Sequence, residues 1–107
     1  MKVPIIVSNF GDVLIFDSIE KAERYIEPID VDNNEYIAYD SEGHLLHLVN
    51  LPRYQVAIEP AETEPNHANE LREILMDFLA RTGVSKSWLS RASLQELVKK
   101  GMEYTTE

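Results

Sequence analysis

Cysteine is absent from all 107 residues. That single absence removes disulfides, thiolate nucleophiles and the cysteine-built structural zinc sites. Glycine occurs four times and never in a Gly-rich run ahead of a helix, so a phosphate-cradling loop is missing. No serine stands in a Gly-x-Ser-x-Gly elbow. Long apolar runs are missing too. The first, Val3 to Val7, is far shorter than a signal-peptide core or a membrane span, and the expectation is a cytoplasmic protein with no membrane segment. What is present, 44% hydrophobic and 27% charged residues, is the composition of one folded domain of common size, 1–107.

Basic side chains are scarce and unevenly placed. Ten Lys and Arg face nineteen Asp and Glu, for a net charge of −9. Residues 1–70 hold 14 acidic and 4 basic groups, net −10, whereas residues 71–107 hold 5 and 6, net +1. An imbalance of this kind repels phosphate backbones over the first two thirds and steers a basic partner toward them. It also serves solubility.

Hydrophobic periodicity gives an α+β chain. Val3–Ser8 and Val13–Phe16 flank Asn9-Phe10-Gly11-Asp12, a strand pair about a turn. Pro4, having no N–H, starts the first strand or places it at an edge. Asp17-Ser18-Ile19-Glu20 opens a helix with Ile19, Ala22 and Ile26 on one stripe, and Pro28 is expected to end it. Residues 30–34 read as a polar turn before a strand over 35–39. Asp40-Ser41-Glu42-Gly43 is a hairpin turn into 44–51, and Pro52-Arg53 turns into a third strand over 54–59, with Tyr54, Val56 and Ile58 on its apolar face. After a connection over 60–66, Leu71, Ile74, Leu75, Phe78 and Leu79 form the stripe of a long helix that Gly83 stops. One or two helical turns follow over 87–92. Ser93-Leu94-Gln95-Glu96 is a capping box that opens a helix to Gly101, with 102–107 a frayed tail. The expected architecture is an antiparallel sheet of about five strands (1–59, with one helix after the first hairpin) and a C-terminal helical pair (67–101) packed on it.

Asp30-x-Asp32-x-Asn34 has the opening spacing of a calcium loop, but Glu35 replaces the glycine of its sixth position and Ser41 the glutamate of its twelfth. His44 and His47, three apart on a strand, point to opposite faces and cannot clamp one ion. His67 and Glu70 could share a helical face but lack a third ligand. No metal and no cofactor are therefore expected. No nucleophile–base constellation is recognisable either, and the chain is expected not to be an enzyme. Gly83-Val84-Ser85-Lys86-Ser87-Trp88-Leu89-Ser90-Arg91 resembles the turn and recognition-helix start of helix-turn-helix repressors, with Lys86 and Arg91 placed to meet phosphates or bases. Leu79 and Trp88 are bulky where that motif takes small residues. A DNA-binding regulator is thus one alternative, and a non-catalytic adaptor domain another; with the acidic balance, nucleic acid is not the expected partner.

Three longer segments, Phe16 to Val31, Glu35 to Gly43 and Ala92 to Val98, together resemble the immunity proteins, small bacterial proteins encoded beside polymorphic or contact-dependent toxins. The resemblance implies a cytoplasmic domain that binds a cognate toxin, such as a basic nuclease, and occludes its active site without chemistry of its own. The expected partner surface comprises Asp30, Asp32, Glu35, Asp40 and Glu42 around the hairpin ends, with Tyr36 or Tyr39 as an aromatic anchor. Oligomeric state is left open.

Overall fold

Ten elements follow one another in the computed structural model, which describes residues 1–61 and 66–105. They are β1 (Ile5–Asn9), β2 (Asp12–Phe16), α1 (Ile19–Tyr25), α2 (Pro28–Asp32), β3 (Ile37–Tyr39), β4 (Leu45–Leu51), β5 (Gln55–Pro60), α3 (Ala68–Arg81), α4 (Lys86–Arg91) and α5 (Leu94–Tyr104). The strands form one antiparallel sheet in the order β2-β1-β3-β4-β5. The chain is α+β with five strands, as its periodicity indicates. Positions 62–65 of the expected connection and 106–107 of the expected tail lie outside the described residues.

Side-chain alternation along the strands builds two cores, one on each face of the sheet. Ile6, Val13, Ile15 and Tyr39 point to one face, where Leu71, Leu75 and Leu79 of α3, Leu89 of α4 and Leu97 and Val98 of α5 cover them. Ile5, Val7, Phe16, Ala38, Leu46, Val56 and Ile58 point to the other, beneath Ala22 of α1 and Ile26 just after it. Phe16 also stacks at a tilt on Tyr25, with ring centroids 5.4 Å apart. β1 is inside on both sides and begins directly after Pro4, so the missing N–H of that proline falls before the ladder.

The helices depart from the sequence expectation at two places, each for an identifiable reason. Pro28 does end α1, because Glu27 before it must be extended (φ −92°, ψ 141°), but its own fixed φ suits a first helical position and it starts α2 where a polar turn was expected. α5 continues through Gly101 to Tyr104 instead of stopping there. A Cβ on Gly101 would lie 2.8 Å from Cδ1 of Ile15, so this glycine lets the helix approach β2 closely and is not a stop signal. Between the expected pair, α4 supplies the one or two helical turns expected over 87–92. Ser93 and Glu96 form the expected capping box at the start of α5.

Tyr54 also departs. Leu51 pairs with Gln55, so the β4–β5 turn holds three residues, Pro52, Arg53 and Tyr54, and Tyr54 sits in the turn and not on the inner face of β5. At the opposite end of the sheet, Gly43 closes the β3–β4 turn at φ +88°, and a Cβ there would meet the backbone of Ala68 at 2.4 Å. The start of α3 is seated on this turn, with the His67 N–H donating to the Gly43 carbonyl at 2.9 Å.

On β5, the N–H of Ile58 points away from β4 and donates to the Glu23 carboxylate of α1 at 2.7 Å. Two residues on, Pro60 has no N–H to offer. A helix carboxylate and a proline thus close an edge that would otherwise invite another strand.

Candidate functional site

The register divides the sheet into two ends, and the expected partner residues fall on both. The β1–β2 turn, the start of β3 and the β4–β5 turn share one end, since Ser8 pairs with Ile37 and Asn50 reaches α2 from the end of β4. The β3–β4 turn and the start of α3 share the other. β3, three residues and about 10 Å long, separates Glu35 and Tyr36 from Asp40 and Glu42.

At the first end Asp30, Asp32, Glu35 and Tyr36 are gathered by the turn that follows α2. The Glu35 N–H donates to the Asp30 carbonyl at 3.0 Å, and the Tyr36 hydroxyl donates to Oδ2 of Asp30 at 3.3 Å. The Asp32 carboxylate accepts from Nδ2 of Asn50 at 2.7 Å, and the same amide group donates to the Pro28 carbonyl. A hydrogen bond from Glu35 to Asp30 favours the protonated Glu35 carboxyl; slight burial and the Asp30 charge act the same way, and the Glu35 pKa is raised. The Tyr36 hydroxyl is pushed up to about 12, by burial first and then by the charge and hydrogen bond of Asp30. Carboxylates held this close repel one another, and an arriving cation relieves that repulsion.

At the second end the side chains face inward. Tyr39 is buried, and its hydroxyl donates to Glu70 of α3 at 2.6 Å. Burial, the Glu70 hydrogen bond and the Glu70 charge all push its pKa up. Asp40 is buried as well. Its Oδ1 accepts from the N–H groups of Glu42 (2.9 Å) and His44 (3.0 Å), and its Oδ2 lies 3.2 Å from the Lys2 nitrogen and 3.0 Å from Nδ1 of His44. Burial alone would raise the Asp40 pKa, but the His44 imidazole and these backbone donors outweigh it and hold it below the ordinary 3.8. The carboxylate is therefore ionised and accepts, and Nδ1 of His44 donates. Neither Tyr39 nor Asp40 presents a surface to a partner. Of the expected residues at this end, Glu42 alone is exposed, 3.9 Å from the Lys2 ammonium.

Asp40, Glu42 and His44 bring possible metal-ligand atoms within 4.8 Å of one another. Both oxygens of Asp40 already accept from donors, Glu42 and His44 of its own turn and the Lys2 backbone, so this cluster locks the hairpin and ties the N-terminal segment to it. The helix-turn-helix-like segment has a similar fate. α4 is six residues, Leu89 is buried, Arg72 of α3 donates to the carbonyls of Leu89 and Ala92, and Nε of Arg91 donates to the Ser87 carbonyl at 3.0 Å. A helix of one and a half turns fastened at its C-terminal end offers little length to lay in a major groove.

Two aromatic residues at the first end were not singled out by the sequence reasoning. Phe10 and Tyr54 are 85% and 91% exposed, and both sit at positive φ, 47° and 58°. The sequence carries a signal for Phe10, an aromatic inside an Asn-x-Gly-Asp turn where a polar residue would serve the backbone better. Between α1 and the β5 edge runs a groove of about 640 Å³ whose lining includes Glu20, Glu23, Arg24, Leu51 and Tyr54. Among the described residues no helix is long and apolar enough to cross a membrane. No family model, curated protein or solved structure matches this chain.

Proposed function

We propose that this chain is an immunity protein, which binds a cognate toxin in the cytoplasm and neutralises it by occluding a basic active-site cleft. The observation that carries the reading is the carboxylate group at one end of the sheet, where Asp30 and Asp32 of α2 stand beside Glu35 of the connection to β3, and where the Asp30 hydrogen bond and charge raise the Glu35 pKa. Such a group is suited to a cleft built for phosphate. It hastens encounter and disfavours wrong partners, while buried anchors hold the complex. Tyr36 belongs to this surface as a half-buried aromatic; Tyr39 and Asp40 are buried at the opposite end of the sheet and form no part of it. The reading asks for no catalytic residue, metal or cofactor.

The test has two stages. Immobilised protein is used to capture partners from host lysate, with and without nuclease, and each captured domain is then expressed in cells with and without this chain. A domain that survives nuclease treatment, arrests growth alone and is harmless with this chain supports the reading. Recovery of DNA, or of partners that disappear with nuclease, overturns it in favour of nucleic-acid binding. A stoichiometric partner with no toxicity overturns it in favour of an adaptor.

A further inference from the structure

The face of the sheet that carries α1 and α2 holds two apolar side chains that the fold leaves largely in water. α2 is five residues long, and its Val31 packs on the core beneath it. Two positions away Ile29 turns outward and is 62% exposed, where a polar residue would serve so short a helix equally well. Tyr25, the last residue of α1, lays its ring against Phe16 and is still 48% exposed. Both belong to the stretch of chain that carries the carboxylates. Tyr36 packs on the same core and donates to Asp30, and the charges of Tyr25 and Glu35 add to its raised pKa. Asp32 is tied to this face by Asn50 of β4. Tyr25, Ile29 and Tyr36 thus stand among Asp30, Asp32 and Glu35, on one face and at one end of the sheet.

We propose that Tyr25, Ile29 and Tyr36 are the anchors of a docking surface for a cationic protein, with Asp30, Asp32 and Glu35 as its rim. This assignment rests on the immunity reading and deepens it: the carboxylates steer and select, while Tyr25 and Ile29, which that reading leaves out, hold the complex. Charge on the same face selects the occupant. Residues 17–35 carry seven acidic and two basic side chains, net −5. Of the two cations, Lys21 is already paired with Asp17 at 3.0 Å, and Arg24 turns its Nε back onto the Glu20 carbonyl. A second copy would bring the same −5 against this surface, and a nucleic acid its phosphates. Tyrosine rings beside carboxylates suit an arginine or lysine, whose stem packs on the ring while its charged head reaches the oxygens. The opposite face also has an open strip, at the half-exposed Ile37 and Leu51, but the helices on that side belong to residues 71–107, which are net +1. The cationic partner is therefore assigned to the α1–α2 face.

The experiment places the photo-crosslinking residue p-benzoylphenylalanine at Ile29 or, as controls, at Ile37 on the opposite face and Tyr104 on α5, and irradiates each full-length variant in nuclease-treated host lysate. The expected result is one protein of net positive charge joined from Ile29 and from neither control. That protein is purified, and its binding kinetics are measured with Ile29→Ser, with Tyr25→Ser and with the double variant Asp32→Asn, Glu35→Gln. Ile29→Ser should raise the dissociation rate at least about tenfold and leave association nearly unchanged, because an anchor acts on the formed complex. The double variant should slow association at low salt but not at about 1 M salt, where the Debye length is about 3 Å. Ile29 lies in neither core, so Ile29→Ser should keep the parent Tm; it carries the test even where Tyr25→Ser, which loses the Phe16 contact, fails to fold. Cross-links to a second copy or to an acidic protein, cross-links of the same protein from Ile37 or Tyr104, and no cross-link at Ile29 each overturn the proposal. So do an Ile29→Ser variant that dissociates like the parent and an association rate indifferent to the carboxylates. Failure of the two readings is distinguishable. A cationic partner held at Ile29 but harmless in cells removes toxin neutralisation and leaves the surface; a toxin bound and neutralised by Ile29→Ser as by the parent removes the surface and leaves the function.

Discussion

Replacing Asp40 tests whether the β3–β4 turn is held by a buried carboxylate or merely contains one. The parent side chain receives four N–H groups, from the backbones of Lys2, Glu42 and His44 and from the His44 ring. Bonds to a charged acceptor are worth about 1.5–3 kcal/mol each, and removing one partner of a buried charged network costs about 3–5 kcal/mol in total. Asp40→Ala should therefore lose about 3–4 kcal/mol, on the order of 15 °C or more in Tm for a chain of this size. Asp40→Asn keeps an acceptor for the Glu42 and His44 backbones and turns an amide toward Lys2 and the imidazole. It should lose about 1–2 kcal/mol. The pH dependence has a definite sign. The folded carboxyl is held below its ordinary 3.8, so its contribution is present above pH 3.8 and is lost as pH falls through the lower folded value. Urea unfolding, followed by fluorescence of the single Trp88, would measure each variant at neutral pH and in acid. The gap between parent and Asp40→Asn should narrow in acid. An Asp40→Ala loss below about 0.5 kcal/mol, or a gap indifferent to pH, would refute the reasoning.

Three further expectations concern other positions. Gly43→Ala combines a positive φ with a Cβ placed against the Ala68 backbone, and should cost more than about 3 kcal/mol in the same urea assay. Glu23→Ala frees the Ile58 N–H at the β5 edge; amide exchange at Ile58 should quicken and sedimentation should show concentration-dependent association, whereas Glu23→Gln, which keeps an acceptor, should restore both. Asp30→Asn removes the charge that opposes ionisation of its neighbours, so ultraviolet titration should find the Tyr36 pKa lowered from about 12 toward its ordinary 10, and carboxyl NMR should find that of Glu35 lowered as well.

Local chemistry was legible in this sequence, and spatial assignment was not. Alternating residues gave the five strands, and Ser93-x-x-Glu96 gave the start of α5, because a cap or a pleat depends on residues a few positions apart. Pro28 is ambiguous by nature, since the same fixed φ ends one helix and begins another. Tyr54 continues the alternation of Val56 and Ile58 in the sequence, and those two do face the core, but the turn takes Tyr54 as its third residue at positive φ and so removes it from the strand. Gly101 reads as a terminator until Ile15, 86 positions earlier, is known to lie against it. The partner surface failed to cohere for a similar reason: residues 30–42 are neighbours along the chain, but β3 carries them from one end of the sheet to the other. The open strip near Ile37 and Leu51 was invisible, because periodicity shows that a strand has two apolar faces and cannot show where a distant helix stops covering one of them.

Ile5, Ile6 and Val7 contribute alternately to both cores while belonging to one short strand. The two helical layers therefore have no independent melting behaviour. Displacing β1 takes Ile6 out of one core and Ile5 and Val7 out of the other at once. A single sharp calorimetric peak follows from that arrangement, with damage at Leu97 felt at Ala22 on the far side of the sheet. Whatever binds the α1–α2 surface meets a platform that yields as one piece or not at all.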